Sequence, residues 1–257
     1  MRNIVAICKR ELLAYFVSPG AYLILSGFLL CAAYFFFNLL ATYNFMVARA
    51  SQMPMAVGLE RFNLNQWVIE GYLQTLIVLM LFLVPLLTMK ALTEEKRTGT
   101  FELLVTSPVS VKQIIFGKYL GIVFMLLIMC AAAFVYPLLL YVYGDPEILP
   151  VLSGCLAVLL SSLAFAAVGL AVSSFSSSQM VAGITTMVLL LMLYVIHAPA
   201  ESLGGTLAGV LKYFSPMVQA EEMVRGVITL RSCLYFASLI LLGLFFAERG
   251  LDRYRWR

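Results

Sequence analysis

A polytopic all-α membrane protein is the fold class this sequence predicts, and three observations predict it. Of the 257 residues, 63% are hydrophobic and only 12% are charged, whereas a soluble domain is roughly 45–50% apolar and about 25% charged. The mean hydropathy is +0.99. The thirteen acidic and seventeen basic residues cluster between apolar runs near the ~20-residue length of a membrane-crossing helix. So few charges cannot cover a soluble surface, and residues 1–257 read as a single membrane domain.

The charges delimit each span. Glu11 and Arg49 enclose the first, about 21–41; its apolar run exceeds the ~7–15 residues of a signal-peptide core, so it reads as a retained helix. Glu70 and Lys90 bracket nineteen uncharged residues, the second span at 71–89. Lys118 and Asp145 bound a third at 119–144. Between Glu147 and Glu201 lie fifty-three residues without a charge, too many for one helix; "SSFSSSQ" (Ser173–Gln179) divides them into spans at 151–172 and 180–197. The last run, 230–248, has sixteen uncharged residues between Arg231 and Glu248. That would reach only about 24 Å of a ~30 Å core, so Arg231 is expected to snorkel or the helix to begin upstream. Six spans is the preferred count; five, with the last run in the interface, is the alternative.

Basic residues set the orientation. With six spans, one side holds twelve of the seventeen Lys and Arg residues, including Arg2, Lys9, Arg10, Lys90, Lys96, Arg97, Lys112 and Lys118. That side, with both termini and the tail 249–257, is expected to be cytoplasmic.

The loops carry their own signals. Residues 1–18 are amphipathic, with Ile4, Ile7, Leu12 and Tyr15 near one face, which suits a helix in the headgroup layer. Ser-Pro recurs at Ser18-Pro19, Ser107-Pro108 and Ser215-Pro216, and Ser followed by Pro suits a helix start. Thr42–Ile69 reads as an outer loop. In 198–229, "SPMVQAEEMVRGVI" (Ser215–Ile228) reads as part of a re-entrant or interfacial helix pair whose Glu221, Glu222 and Arg225 face solvent. The loop 90–118 is the most punctuated. The second span can run on through "ALTEEKR" until Gly99 stops it in a left-handed conformation. Thr100 then caps a short helix, Phe101–Val105, and Ser110 with Gln113 forms a capping box for the next helix. A short mixed-charge helix held between two membrane helices suits docking of a cytoplasmic protein; a solvated hairpin is the plainer alternative.

Those same residues carry a resemblance. "LTEEKRTGTFELLVTSPVSVKQIIFGKYLG" (Leu92–Gly121) resembles the loop between the second and third spans of ABC-2 type transporter permeases, most of all the gliding-motility-associated and copper-enzyme-maturation branches. "CKRELLAYFVSPGAYL" (Cys8–Leu23) and "VGLAVSSFSSSQMVAG" (Val168–Gly183) support it. The resemblance implies a type V exporter-like half-transporter: six spans, an N-terminal connecting helix, and a coupling helix that docks a separate ABC ATPase. The coupling region would comprise Glu94, Glu95, Lys96, Arg97, Gly99, Thr100, Phe101, Glu102, Leu103 and Leu104, with a second familial contact at Ser173–Gln179. It also implies pairing with a second permease copy or a paralogue, a bacterial inner-membrane location, and ATP with Mg on the ATPase partner.

The residues exclude other classes. No G-x-x-x-x-G-K-[ST] occurs, and "GGTLAG" (Gly204–Gly209) lacks the lysine, so this chain is a non-catalytic subunit with no cofactor of its own. No Asp, Glu, Lys or Arg is expected mid-membrane, which argues against an ion-coupled carrier, and nothing points to nucleic acid. The five cysteines are scattered as small hydrophobes rather than metal ligands, and His197 reads as a satisfied interfacial histidine. Small residues of the fourth span, among them Gly154, Ala157, Ser161, Ala164, Ala167 and Gly169, permit close helix packing. The functional expectation is an efflux permease. The alternative is a mechanotransmission or scaffolding subunit that passes ATPase motion to an outer partner; an intramembrane enzyme is the weakest reading.

Overall fold

The computed structural model describes residues 2–51, 64–99, 109–143, 147–201 and 206–255, and within them every regular element is a helix. Helices α1 (Arg2–Val17) and α2 (Pro19–Ser51) are separated at Ser18, because Pro19 has no N–H and disfavours helix in the residue before it. Helix α2 runs past the expected limit at 41, so Thr42–Ser51, expected as loop, is helical. Within it the Thr42 hydroxyl donates to the Asn38 carbonyl at 2.9 Å.

A π-turn, Asn65–Glu70, leads into α3 (Gly71–Thr88), and α4 (Thr93–Thr98) follows. The continuous helix expected through Lys90 is broken at Met89–Leu92. The Leu92 N–H donates to Ser173 Oγ at 3.2 Å, so a side chain on another helix replaces the next rung of the ladder. Gly99 then ends α4 with φ 71°, as expected. The expected short helix Phe101–Val105 and the Ser107-Pro108 start lie outside the described residues.

Helix α5 (Val111–Ala133) starts earlier than the charge boundary at Lys118 suggested, because the Ser110–Gln113 capping box sets its N-terminus: Gln113 N–H donates to Ser110 Oγ and Ser110 N–H to Gln113 Oε1, both at 3.4 Å. Lys118 is therefore inside a helix, not at its edge. After a break at Phe134 comes α6 (Val135–Tyr143). Pro137 cannot donate to the Ala133 carbonyl four residues back. The buried Tyr72 hydroxyl on α3 does so instead, at 3.0 Å, within a ring cluster that includes Phe36 at 5.3 Å.

Helices α7 (Ile148–Phe175) and α8 (Gln179–Val195) are separated by residues 176–178. Beyond a short 3-10 turn, Ala198–Glu201, lie α9 (Thr206–Phe214), α10 (Pro216–Val224) and α11 (Leu230–Arg255). Pro216 occupies the first turn of α10 with Ser215 at the cap position. Among the described residues, five helical stretches are long and apolar enough to cross a membrane: Pro19–Ala50, Gln66–Thr98, Val111–Leu140, Ile148–Phe175 and Leu230–Arg253. The last is not short, which removes the ground for placing it in the interface. Arg231 instead stacks its guanidinium 4.8 Å from the Tyr213 ring centroid. The short apolar helix is α8, whose 17 residues reach about 26 Å.

Helix α7 is the most buried of the long helices and α2 the least. It packs against α3, α5, α8, α10 and α11. Ala157, Ala164 and Ala167 are fully buried on it, so the small residues serve packing inside this chain. A tight backbone approach is to α11, where a β-carbon on Gly243 would meet the Ala167 backbone at 2.7 Å.

Replacing Tyr72 by Phe keeps the ring and orphans the Ala133 carbonyl. The expected cost is about 1–2 kcal/mol, read as a lower unfolding midpoint of the purified chain in mild detergent; an unchanged midpoint would show that the carbonyl finds another donor.

Candidate functional site

The expected coupling residues that are described all sit on or beside α4, and they divide by direction. Glu94 and Arg97 are exposed, whereas Glu95 and Lys96 turn inward. Thr100, Phe101, Glu102, Leu103 and Leu104 lie outside the described residues.

Glu95 enters an ion-pair cluster built from three helices. Lys118 of α5 has a side chain only 2% exposed, and its ammonium lies 3.0 Å from Glu95 Oε1 and 2.9 Å from Glu11 Oε1 on α1. Arg10 of α1 pairs with Glu95 Oε1 as well, and lies 3.2 Å from Glu11. Removing an ammonium from water costs several kcal/mol, and here two carboxylates offset it. Glu95 Oε2 is buried with no hydrogen-bond partner.

Local sequence brings these groups together. Gly117 and Gly121, one turn apart on α5, leave a flat strip on which α1 lies. A β-carbon on Gly117 would meet Ile7 at 2.8 Å, and one on Gly121 would meet Glu11 Cβ at 2.8 Å. The face of α1 that carries Ile4, Ile7 and Tyr15 therefore docks on protein, while Val5, Leu13, Phe16 and Val17 are exposed on its other side. Burial, together with the Glu11 and Glu94 carboxylates, pushes the Tyr15 hydroxyl above its ordinary pKa; it stays protonated and donates to the Leu87 carbonyl at 3.3 Å.

Lys96 makes the second inward connection. Its ammonium donates to the carbonyls of Ser174 and of Ser176, the latter at 3.1 Å. These carbonyls lie in the last turn of α7 and at its C-cap, where a cation satisfies orphan acceptors and the helix dipole. With the bond from Leu92 N–H to Ser173 Oγ, this joins the α3–α4 loop to the Ser173–Gln179 elbow.

Arg10, Glu11, Lys118 and the serine carbonyls were not legible as partners in the sequence. The available signal was Gly117-Lys118-Tyr119-Leu120-Gly121, a small-x-x-x-small strip that holds a lysine inside an otherwise apolar run. At the other end of the bundle, Glu221, Glu222 and Arg225 are not simply a solvated face. Arg225 lies 3.2 Å from Glu70 at the π-turn and 2.5 Å from Glu221, and Glu222 accepts from Thr229 at 3.3 Å. His197 Nδ1 lies 2.8 Å from the Tyr194 carbonyl, a satisfied histidine as expected.

The Lys118→Met variant strands two carboxylates around an apolar side chain, and the expected loss is about 3–5 kcal/mol. Combining it with Glu11→Gln and Glu95→Gln removes the stranded charge and should recover most of that loss. Unfolding midpoints of the two variants measure both numbers, and equal losses would mean that packing, not charge pairing, sets the cost.

No curated protein sequence matches the chain as a relative. Residues 41–247, well over half of the chain, match the family described as ABC-2 family transporter protein. That interval holds four of the five long apolar helical stretches wholly or in large part, together with α4 and its elbow contacts, and leaves α1, most of α2 and the end of α11 outside. The chain belongs to the ABC-2 family of transporter proteins, as a multi-pass membrane permease component.

Proposed function

We propose that this permease is an exporter subunit driven by a separate ABC ATPase, and that force enters through residues 94–104. The observation that carries the reading is the inward anchoring of α4: Glu95 is paired to Arg10 and Lys118, and Lys96 to the end of α7. A segment built only to connect two spans would not need ties to three other helices. The exposed Glu94 and Arg97 are the surface an ATPase would press, and the resemblance assigns Thr100–Leu104 to the same contact. Motion delivered there reaches α1, α5 and α7 together. ATP and Mg belong to the ATPase, whose dimer closure would rock the helices of two paired permeases, copies or paralogues. On this reading α8 completes six spans, both termini are cytoplasmic, and the membrane is a bacterial inner membrane. Closer kinship with the gliding-motility-associated or copper-enzyme-maturation branches is part of the same proposal.

One observation favours the second reading, mechanotransmission to an outer partner. Helix α7, held at one end by Lys96, packs against α10 of the outer helix pair. A continuous rod therefore links the proposed motor side to the outer side. ATP-driven movement of substrate into sealed vesicles would exclude this alternative.

The test co-expresses the chain with its ATPase. Arg97→Glu and Phe101→Ala should lower co-purification about tenfold if each removes a contact worth ~1.4 kcal/mol. Lys96→Met should co-purify normally but lose most permease-dependent ATPase activity, because docking is intact and transmission is not. Full coupled activity in all three variants would overturn the assignment.

A further inference from the structure

Beside the ion-pair cluster, α1, the start of α2, the end of α3 and α4 enclose a cavity of about 510 Å³, within the range of about 300–1,000 Å³ typical of ligand sites. Its two ends differ in chemistry. One is apolar, lined by Leu23, Ile24 and Leu86, and Leu23 and Leu86 are also 73% and 42% exposed on the outer surface of membrane-crossing helices. The other is ionic. The cluster of Lys118, Arg10, Glu11 and Glu95 forms part of its wall, already internally paired.

Two further charges on that wall have no such pairing. Among the described residues, the side chains of Lys90 and Glu94, one helical turn apart in sequence, make no ion pair and no hydrogen bond, and both are exposed. The Lys90 ammonium stands over the first turn of α2, 3.9 Å from where a β-carbon on Gly20 would lie. An unpaired cation beside a helix N-terminus attracts a phosphate, and an unpaired carboxylate next to it attracts a group that is cationic and can donate hydrogen bonds.

We propose that this cavity binds a phospholipid with a phosphoethanolamine headgroup, held as a resident lipid at the joint between α1 and the α3–α4 loop. The phosphate pairs with Lys90, the primary ammonium donates to Glu94, and the acyl chains leave along Leu23 and Leu86 into the bilayer. A purely anionic headgroup would meet Glu94 and Glu95 without a cation of its own. A choline headgroup carries the charge but no N–H to donate. A water-soluble phosphate ester would leave the apolar end unfilled. The proposal rests on the permease reading only in placing Leu23 and Leu86 against lipid.

The test uses the full chain, purified in detergent without any ATPase, so that failure of the coupling proposal cannot imitate failure of this one. Dioleoyl phosphatidylethanolamine, phosphatidylcholine, phosphatidylglycerol and soluble glycerophosphoethanolamine are titrated separately, with bound lipid read by native mass spectrometry and the unfolding midpoint followed in parallel. Phosphatidylethanolamine should bind about tenfold tighter than the other two lipids, the scale of one charge-assisted hydrogen bond, and the soluble ester should not bind. Glu94→Gln should erase the preference over phosphatidylcholine; Lys90→Gln should weaken both of these lipids; Leu23→Trp, an exposed substitution at the mouth, should weaken all three. Lys112→Gln, on the Lys112–Glu248 pair at 3.7 Å, should change nothing. Equal binding of all lipids by the unmodified chain, binding of the soluble ester as tight as the lipid, unchanged selectivity in Glu94→Gln, or unchanged affinity for both lipids in Lys90→Gln would each overturn the proposal.

Discussion

The buried ammonium of Lys118 is the constraint around which this end of the molecule is organised. A lysine that is almost fully enclosed must find counter-charge, and no single helix supplies enough. One carboxylate comes from α1 and the other from α4, so meeting the requirement forces three helices into one arrangement. Gly117 and Gly121 make the arrangement sterically possible, and Arg10 offsets the second negative charge. Electrostatics and packing thus select the same geometry, which is the consistency expected of a specified fold.

Lys96 extends that unit to a fourth helix by a different means. It takes over the carbonyls at the end of α7, and Ser173 takes the N–H that α3 gives up at Leu92. The two loops at this end are therefore tied by main-chain groups rather than by side-chain charges alone. Such ties depend little on salt, unlike exposed ion pairs. The exposed Glu94 and Arg97 consequently sit on a stiff base.

Helix number and type were mostly legible in the sequence because charge spacing and apolar run length are local properties. Gly99, the Ser110–Gln113 box and the Ser215-Pro216 start were legible for the same reason: each satisfies its own neighbours. What the sequence could not disclose was long-range. Lys118 looked like a boundary marker, since nothing nearby in sequence marks Glu11 and Glu95 as its partners. The break at Leu92 depends on a serine eighty-one residues away. Charge spacing makes the last helix short, whereas Arg231 rests on a tyrosine ring and the helix runs to Arg255. Within Glu94–Arg97 the sequence did not disclose which side chains turn inward.

The close approach of α11 to α7 has a mechanical consequence. With Gly243 against the Ala167 backbone and Gly250 against Ser174, the two helices mesh along about two turns. Sliding one past the other would drive side chains into backbone, so they turn together as a single shaft. Any change of shape must then be taken up elsewhere, by helices with slack. Helix α2, the least buried of the long helices, and α8, only three of whose seventeen residues are buried, are the parts free to swing about that shaft.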